Sequence, residues 1–255
     1  MSRIFDSHVH LNHPDFAGRE SQAWQEAQEA GVQHAVIVGY DIASSQRAIA
    51  IAEQHENLYA TAGVSPHDYA KAPENYPEEI ETLAQHPKVV AIGEAGLEYY
   101  YPAGEKSFQI KHFIKQISLA NRLGKTIVVH LRDADADMLK ILQNDPPRRM
   151  ILHCFTGSLE LMQEAAALGH FISLSGIVTF KSARDLQEVA RQIPKNNILI
   201  ETDAPYLAPV PHRGKPCEPR MIADTARFVA ELRNEPLEEF CTQIHQNACR
   251  AFGIQ

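Results

Sequence analysis

Cysteine is scarce and scattered in this chain. Its four residues, Cys154, Cys217, Cys241 and Cys249, include no Cys-X-X-Cys pair, which argues against a disulfide framework and against a thiolate zinc ribbon. Long apolar runs are missing as well: the best of them, such as residues 126–129, fall far short of the roughly 20 residues a membrane-spanning helix needs. Residues 1–3 lead straight into Ile4-Phe5-Asp6 without an apolar leader or a small-residue cleavage site, so a cytoplasmic protein is expected. Positive charge is also lacking. A net charge of −8 argues against a broad basic surface that grips long duplex DNA by counterion release. It leaves room for a nucleic-acid substrate at a pocket where divalent cations and a few Lys and Arg supply the field. With no internal repeat, low-complexity tract or linker, residues 1–255 read as one domain, at a length typical of one (β/α)8 barrel.

What the chain does have is alternation. Eight short, near-continuous apolar runs cover residues 4–11, 34–40, 58–66, 89–97, 126–131, 150–155, 171–175 and 198–203, the pattern of strands buried on both faces. Between them lie helically spaced apolar residues: Ala23, Ala27 and Ala30 before Gly31; Ile49 and Ala52; Phe108, Phe113, Ile117, Ala120 and Leu123; Leu139 and Leu142; Leu161, Ala165 and Leu168 before Gly169; and Leu186, Val189 and Ile193 before Pro194. Gly and Pro at these places are helix terminators. Residues 204–219, rich in Pro and Gly, read as a loop over the barrel mouth, and helices over 221–232 and 237–252 follow. The order implies an α/β fold with parallel strands and right-handed crossovers: a single (β/α)8 TIM barrel with C-terminal helices, against which an eight-stranded doubly wound sheet is the competing topology. Neither Trp24 nor the helix faces present an apolar patch distinct from core packing, so a monomer is expected.

Histidine is plentiful, at thirteen residues, and its placement matters more than its number. His8 and His10 are two apart on the first run and so share a face. Glu94 lies late in the fourth run, His130 late in the fifth, His153 in the sixth, and Asp203 ends the eighth. In a barrel these strand ends converge on one rim. A lone buried His is more often a hydrogen-bonded core residue, and a lone Asp at a strand end more often a turn or helix cap. Six such residues together, including two carboxylates that need a compensating cation, point to metal. Imidazole and carboxylate without thiolate suit Zn, Mn, Fe or Mg. Six donors exceed what one catalytic ion takes while keeping a position open for water. Two ions therefore fit better, bridged by Glu94, with His8, His10 and Asp203 on one and His130 and His153 on the other.

The segments Asp6-Ser7-His8-Val9-His10-Leu11, Gly93-Glu94-Ala95-Gly96-Leu97, His130-Leu131-Arg132-Asp133-Ala134, His153-Cys154-Phe155-Thr156-Gly157 and Glu201-Thr202-Asp203-Ala204-Pro205-Tyr206-Leu207 resemble the TatD family of metal-dependent deoxyribonucleases. The likeness runs in order from residue 4 to about residue 253. It implies a TIM barrel, two divalent ions (Mg, Mn or Zn) on these six residues, and hydrolysis of DNA phosphodiesters, as a 3′–5′ exonuclease on single-stranded ends. Asp203 would orient the attacking water or take its proton, with Glu94 as the other catalytic residue. His67, Arg132, Lys181, Arg213 and Lys215 are candidate phosphate contacts. Ser65, Glu98 and Cys217 depart from the family pattern, where His, Asp and Asn are usual, and bear on substrate fit rather than metal binding. Two other readings stand beside this one. The first is an amidohydrolase-type hydrolase of an ester, lactone or amide, such as an aminoacyl-tRNA ester; the second is a non-catalytic metal-binding interaction protein.

Overall fold

All eight apolar runs become parallel strands in a computed structural model that describes residues 3–101 and 103–254. The strands are β1 (Ile4–Val9), β2 (Val32–Ile37), β3 (Leu58–Ala62), β4 (Val89–Glu98), β5 (Thr126–Arg132), β6 (Met150–Leu152), β7 (Phe171–Leu174) and β8 (Ile198–Ile200). They hydrogen-bond in sequential order from β1 to β8. A doubly wound sheet would reverse direction partway, so the competing topology is excluded. Its two edges meet: Asp203 N–H donates to the His8 carbonyl at 2.9 Å, and His10 N–H to the Ala204 carbonyl at 2.9 Å. Asp6 adds a side-chain latch across the same seam, accepting from Thr202 N–H at 3.0 Å and Thr202 Oγ1 at 2.6 Å. The result is a TIM barrel. Met1 and Ser2, on which the expectation about a leader partly rests, lie outside the described residues, as do Pro102 and Gln255.

The helices are α1 (Glu20–Glu29), α2 (Ile42–Glu53), α3 (Tyr76–Leu83), α4 (Lys106–Leu123), α5 (Asp135–Asn144), α6 (Leu159–Ala167), α7 (Arg184–Gln192), α8 (Ile222–Leu232) and α9 (Leu237–Phe252). Local chemistry sets several of their ends. Asp41 and Ser44 form a reciprocal capping box at the start of α2, Ser158 caps α6, and Gly124 ends α4 in the left-handed conformation. Apolar spacing does not reveal α3, because only Tyr76 and Ile80 of that helix are buried. Phe108 and Leu168, expected on core-facing stripes, are exposed. In α5 the buried face is Met138, Ile141 and Leu142, so Leu139 sits at its edge.

Packing forms two layers. One core lies between the strands and the surrounding helices; the other fills the lumen with Phe5, Val36, Ala91, Val128, Ile151, Phe171 and Leu199. At the N-terminal end α9 closes the lumen with Ala248, Ala251 and Phe252, the Phe252 ring stacked 5.8 Å from Phe5. Alternation along the strands then carries the lumen face upward from Val128 to His130, from Ile151 to His153, and from Leu199 to Glu201 and Asp203. In β1 and β4 it does not. Phe5 faces the lumen, yet Val9, of the same parity, packs in the outer layer. The pairing with β2 shifts register between Asp6 and Val9, and the shift turns His8 and His10 inward. Likewise Ala91 faces the lumen and Ala95 the helices; the register shift between Ile92 and Ala95 turns Glu94 inward.

No helix among the described residues is long and apolar enough to cross a membrane, and Cys154, Cys217 and Cys249 form no disulfide.

Candidate metal centre

The C-terminal rim opens into a cavity of about 580 Å³, within the usual size range of small-ligand sites. Its floor is a buried cluster of imidazoles and carboxylates. Glu94 stands in the middle, and its two oxygens face different partners. Oε2 lies 3.7 Å from His8 Nε2 and 3.9 Å from His10 Nε2; the same two nitrogens are 3.1 Å apart and lie 3.7 and 3.4 Å from Asp203 Oδ1. Oε1 lies 3.1 Å from His130 Nδ1 and 3.4 Å from His153 Nε2, which are 3.3 Å from each other. Donors held about 2.1 Å from a tetrahedral ion stand roughly 3.4 Å apart. Both groups therefore have the edge lengths of a metal cage, and the chemistry of the donors suits a borderline or hard divalent ion.

Electrostatics fits the same use. Burial would raise the Glu94 carboxyl, but His153 and His130 beside it hold it well below the ordinary carboxylate range. Burial opposes charge on His153, and Glu94 and Glu201 overcome that and raise it well above the usual value. His8 goes the other way: burial, with His153 and His10 close by, holds its charged form down. The cluster balances its own charge by sharing protons, which a divalent ion can replace.

Three of the four ring nitrogens turned away from the cages are also held, His8 Nδ1 having no hydrogen-bond partner among the described residues. His10 Nδ1 donates to the Val38 carbonyl at 3.1 Å, His130 Nε2 to Glu98 Oε2 at 3.1 Å, and His153 Nδ1 to Glu201 Oε1 at 3.3 Å. Such contacts fix the tautomer and aim the other nitrogen's lone pair. Glu201 Oε1 also accepts from Cys154 N–H at 2.7 Å, steadying a residue held at φ +43°. Asp203 sits at φ +55°, a left-handed conformation costing about 1–3 kcal/mol for such residues and secured here by its bond to His8. Close approach of strands is part of the design: at Gly96 (φ +147°) a Cβ would come within 1.9 Å of the His130 carbonyl oxygen, so only glycine admits this spacing of β4 and β5.

A model of TatD-related DNases matches residues 5–253. The uncharacterized metal-dependent hydrolase YabD of Bacillus subtilis is 37% identical, over 98% of this chain and 99% of that one. The chain belongs to the TatD family. It is a metal-dependent hydrolase, as its relatives are. Another family member, the 3'-5' ssDNA/RNA exonuclease TatD of Enterobacter lignolyticus, is 32% identical over 98% of this chain and 99% of its own. The crystal structure of YJJV, a TatD homologue from Escherichia coli K12, superposes with a TM-score of 0.93 at 28% identity, covering 99% of this chain and 98% of that one.

Within this TatD-family fold, the six expected donors His8, His10, Glu94, His130, His153 and Asp203 come together on one rim. His67 and Arg132 also line the cavity, His67 Nε2 lying 3.5 Å from Glu98 Oε2. Arg213, Lys215 and Lys181 do not line it; the Arg213 guanidinium instead stacks 3.6 Å from the Phe180 ring centroid. Of the three departures from the family pattern, Ser65 lines the cavity and donates to Asp68 Oδ2 at 3.1 Å. Cys217 is fully buried in the outer core, away from the cavity. Glu98 has a role that reading the residues one by one passed over, as does Glu201. Both share a face with another donor, Glu98 four positions after Glu94 and Glu201 two before Asp203, and that even spacing was the available signal.

Proposed function

We propose that this protein hydrolyses phosphodiester bonds at single-stranded nucleic-acid ends, DNA first among them, from the 3′ side. In this reading His8, His10 and Asp203 would hold one divalent ion and His130 and His153 the other, with Glu94 available to both sets. The observation that carries it is Glu94 itself, a buried carboxylate with each oxygen facing a separate set of donors, which is the arrangement of a two-metal phosphoryl-transfer centre. Divalent ions held there would supply a water of lowered pKa and neutralise charge developing on the phosphate. Asp203, at the mouth of the floor, orients the attacking water and takes its proton. Glu98 and Glu201 keep the His130 and His153 rings in register, and Arg132 offers the cavity a charged contact for phosphate. The names carried by relatives such as the Enterobacter enzyme support the same substrate class.

One observation favours a second reading. Arg132 is the sole Arg or Lys among the residues lining the cavity, a modest provision for a polyanion, and a neutral ester or amide would suit the same floor.

The test is digestion of a 5′-labelled single-stranded DNA oligonucleotide with Mg²⁺, Mn²⁺ or Zn²⁺, beside a panel of esters and amides. A ladder shortening from the 3′ end, abolished by EDTA, is the expected result. Intact DNA together with turnover of an ester would replace the first reading by the second.

A further inference from the structure

Six large apolar side chains are exposed among the described residues, and three of them stand around one opening. Tyr100, Tyr101 and Tyr206 are 58%, 55% and 49% exposed, and Tyr101 and Tyr206 line the cavity above the carboxylate floor. Tyr100 meets Tyr101 edge-on, centroids 4.7 Å apart and planes at 88°. The Arg132 guanidinium carbon lies 4.7 Å from the Tyr100 centroid and 5.9 Å from that of Tyr101. Packing gives no reason for ring faces left in water.

The backbone that carries these rings is nonetheless anchored. The N–H groups of Tyr100 and Tyr101 both donate to Glu98 Oε1, at 2.7 and 2.9 Å, while the other oxygen of that buried carboxylate accepts from His130. One side chain thus ties the aromatic rim to the donor cluster. A rim that merely happened to be exposed would need no such tether.

We propose that Tyr100 and Tyr101, with Arg132 against them, form a stacking subsite for a nucleobase of a single-stranded substrate near the phosphodiester being cut. The proposal rests on the phosphodiesterase reading and names how the strand is recognised. Aromatic faces accept any base, and a guanidinium beside them adds a cation for the flanking phosphate. Duplex bases are already stacked on each other and cannot use such a platform. With a net charge of −8, the protein cannot draw its affinity from a long run of backbone contacts. Grip on a few terminal bases meets that need.

The experiment uses the full chain and two probes. Oligonucleotides carrying 2-aminopurine at each of the three 3′-terminal positions in turn are bound to the Asp203→Asn protein; stacking on the tyrosines quenches the fluorescence at one position, and adding Tyr101→Ala relieves it. In parallel, the Mn²⁺-loaded enzyme and its Tyr100→Ala, Tyr101→Ala and Tyr101→Phe variants cut an all-thymidine strand and strands with a baseless spacer at those positions. Loss of one stacked base corresponds to roughly five- to 150-fold in kcat/KM. Removing the base and removing the Tyr101 ring should each cost a factor in that range without the two factors multiplying, and Tyr101→Phe should restore discrimination. Fully multiplying losses, indifference to the base, or no quenching at any position would overturn the subsite while leaving the nuclease reading intact. A metal-loaded protein that turns over esters but neither binds nor cuts any strand would overturn both.

Discussion

At its N-terminal end the barrel buries histidines in apolar company. His170, just before β7, has neither ring nitrogen hydrogen-bonded among the described residues, and burial pushes its pKa down to about 4. His34 stacks on Phe5 at 5.4 Å, and its Nδ1 meets His245 Nε2 at 3.0 Å; burial lowers both rings. At the C-terminal end, His8, His10 and His153 are buried and His130 half-buried, but they stand against Glu94, Glu98, Glu201 and Asp203, and His10, His130 and His153 are raised in spite of burial. The difference teaches what to ask of a buried histidine in a sequence. Burial alone disfavours the charged ring and makes a packing residue. A carboxylate placed on each side of the ring makes a site that can exchange protons for a cation.

The comparison breaks most visibly when metal is withdrawn. Chelation should abolish hydrolysis. It should also lower the melting temperature by about 10–20 °C if both ions had been present at about 100 times their Kd; calorimetry of the loaded and stripped protein measures it, and coincident curves would mean that the C-terminal cluster holds no ion. Next in size is Asp203→Asn, expected to reduce kcat by about 10²–10⁴ with the far-UV circular dichroism of the folded barrel retained; a variant of near-normal kcat would remove Asp203 from its role. Glu98→Gln sharpens the contrast, since it leaves the His130 ring a weaker acceptor. Metal affinity at one of the two positions should fall about 10–100-fold, read by titration calorimetry as one weakened binding event, and an equal loss at both would mean general damage instead.

The smallest effect belongs to the other end. An unfolded histidine titrates near 6.5, and His170 in the fold near 4. Between those values the unfolded chain binds the extra proton, so stability falls as pH drops below about 6.5 and the loss levels off near 4. At pH 5 the term amounts to about 2 kcal/mol relative to pH 8. His170→Leu should remove that part of the acid limb in denaturant unfolding, and an unchanged slope would contradict the assignment.

The sequence made the barrel legible because every strand is buried on both faces and shows as an apolar run. The clustering of the six expected donors was legible because they are polar residues in or at the ends of such runs. Helix α3 was hidden by having just Tyr76 and Ile80 on its inner face. Glu98 and Glu201 were hidden because a carboxylate that orients a ring looks, in sequence, like any other. Arg213 and Lys215 were expected over the pocket; a Pro- and Gly-rich loop leaves such side chains free to settle elsewhere, and Arg213 settled on Phe180. The facing of His8 and Glu94 depends on two register shifts that no apolar pattern announces.

Those shifts also set what kinds of genetic change the site can survive. A substitution at Ser7 or Val9 leaves the count of residues along β1 intact, and the histidines keep facing the lumen. Deleting Ser7 would keep both histidines in the protein and rotate them toward the helices. In the second half of β1 and in the middle of β4, inheritance must therefore preserve a spacing more strictly than it preserves any one letter.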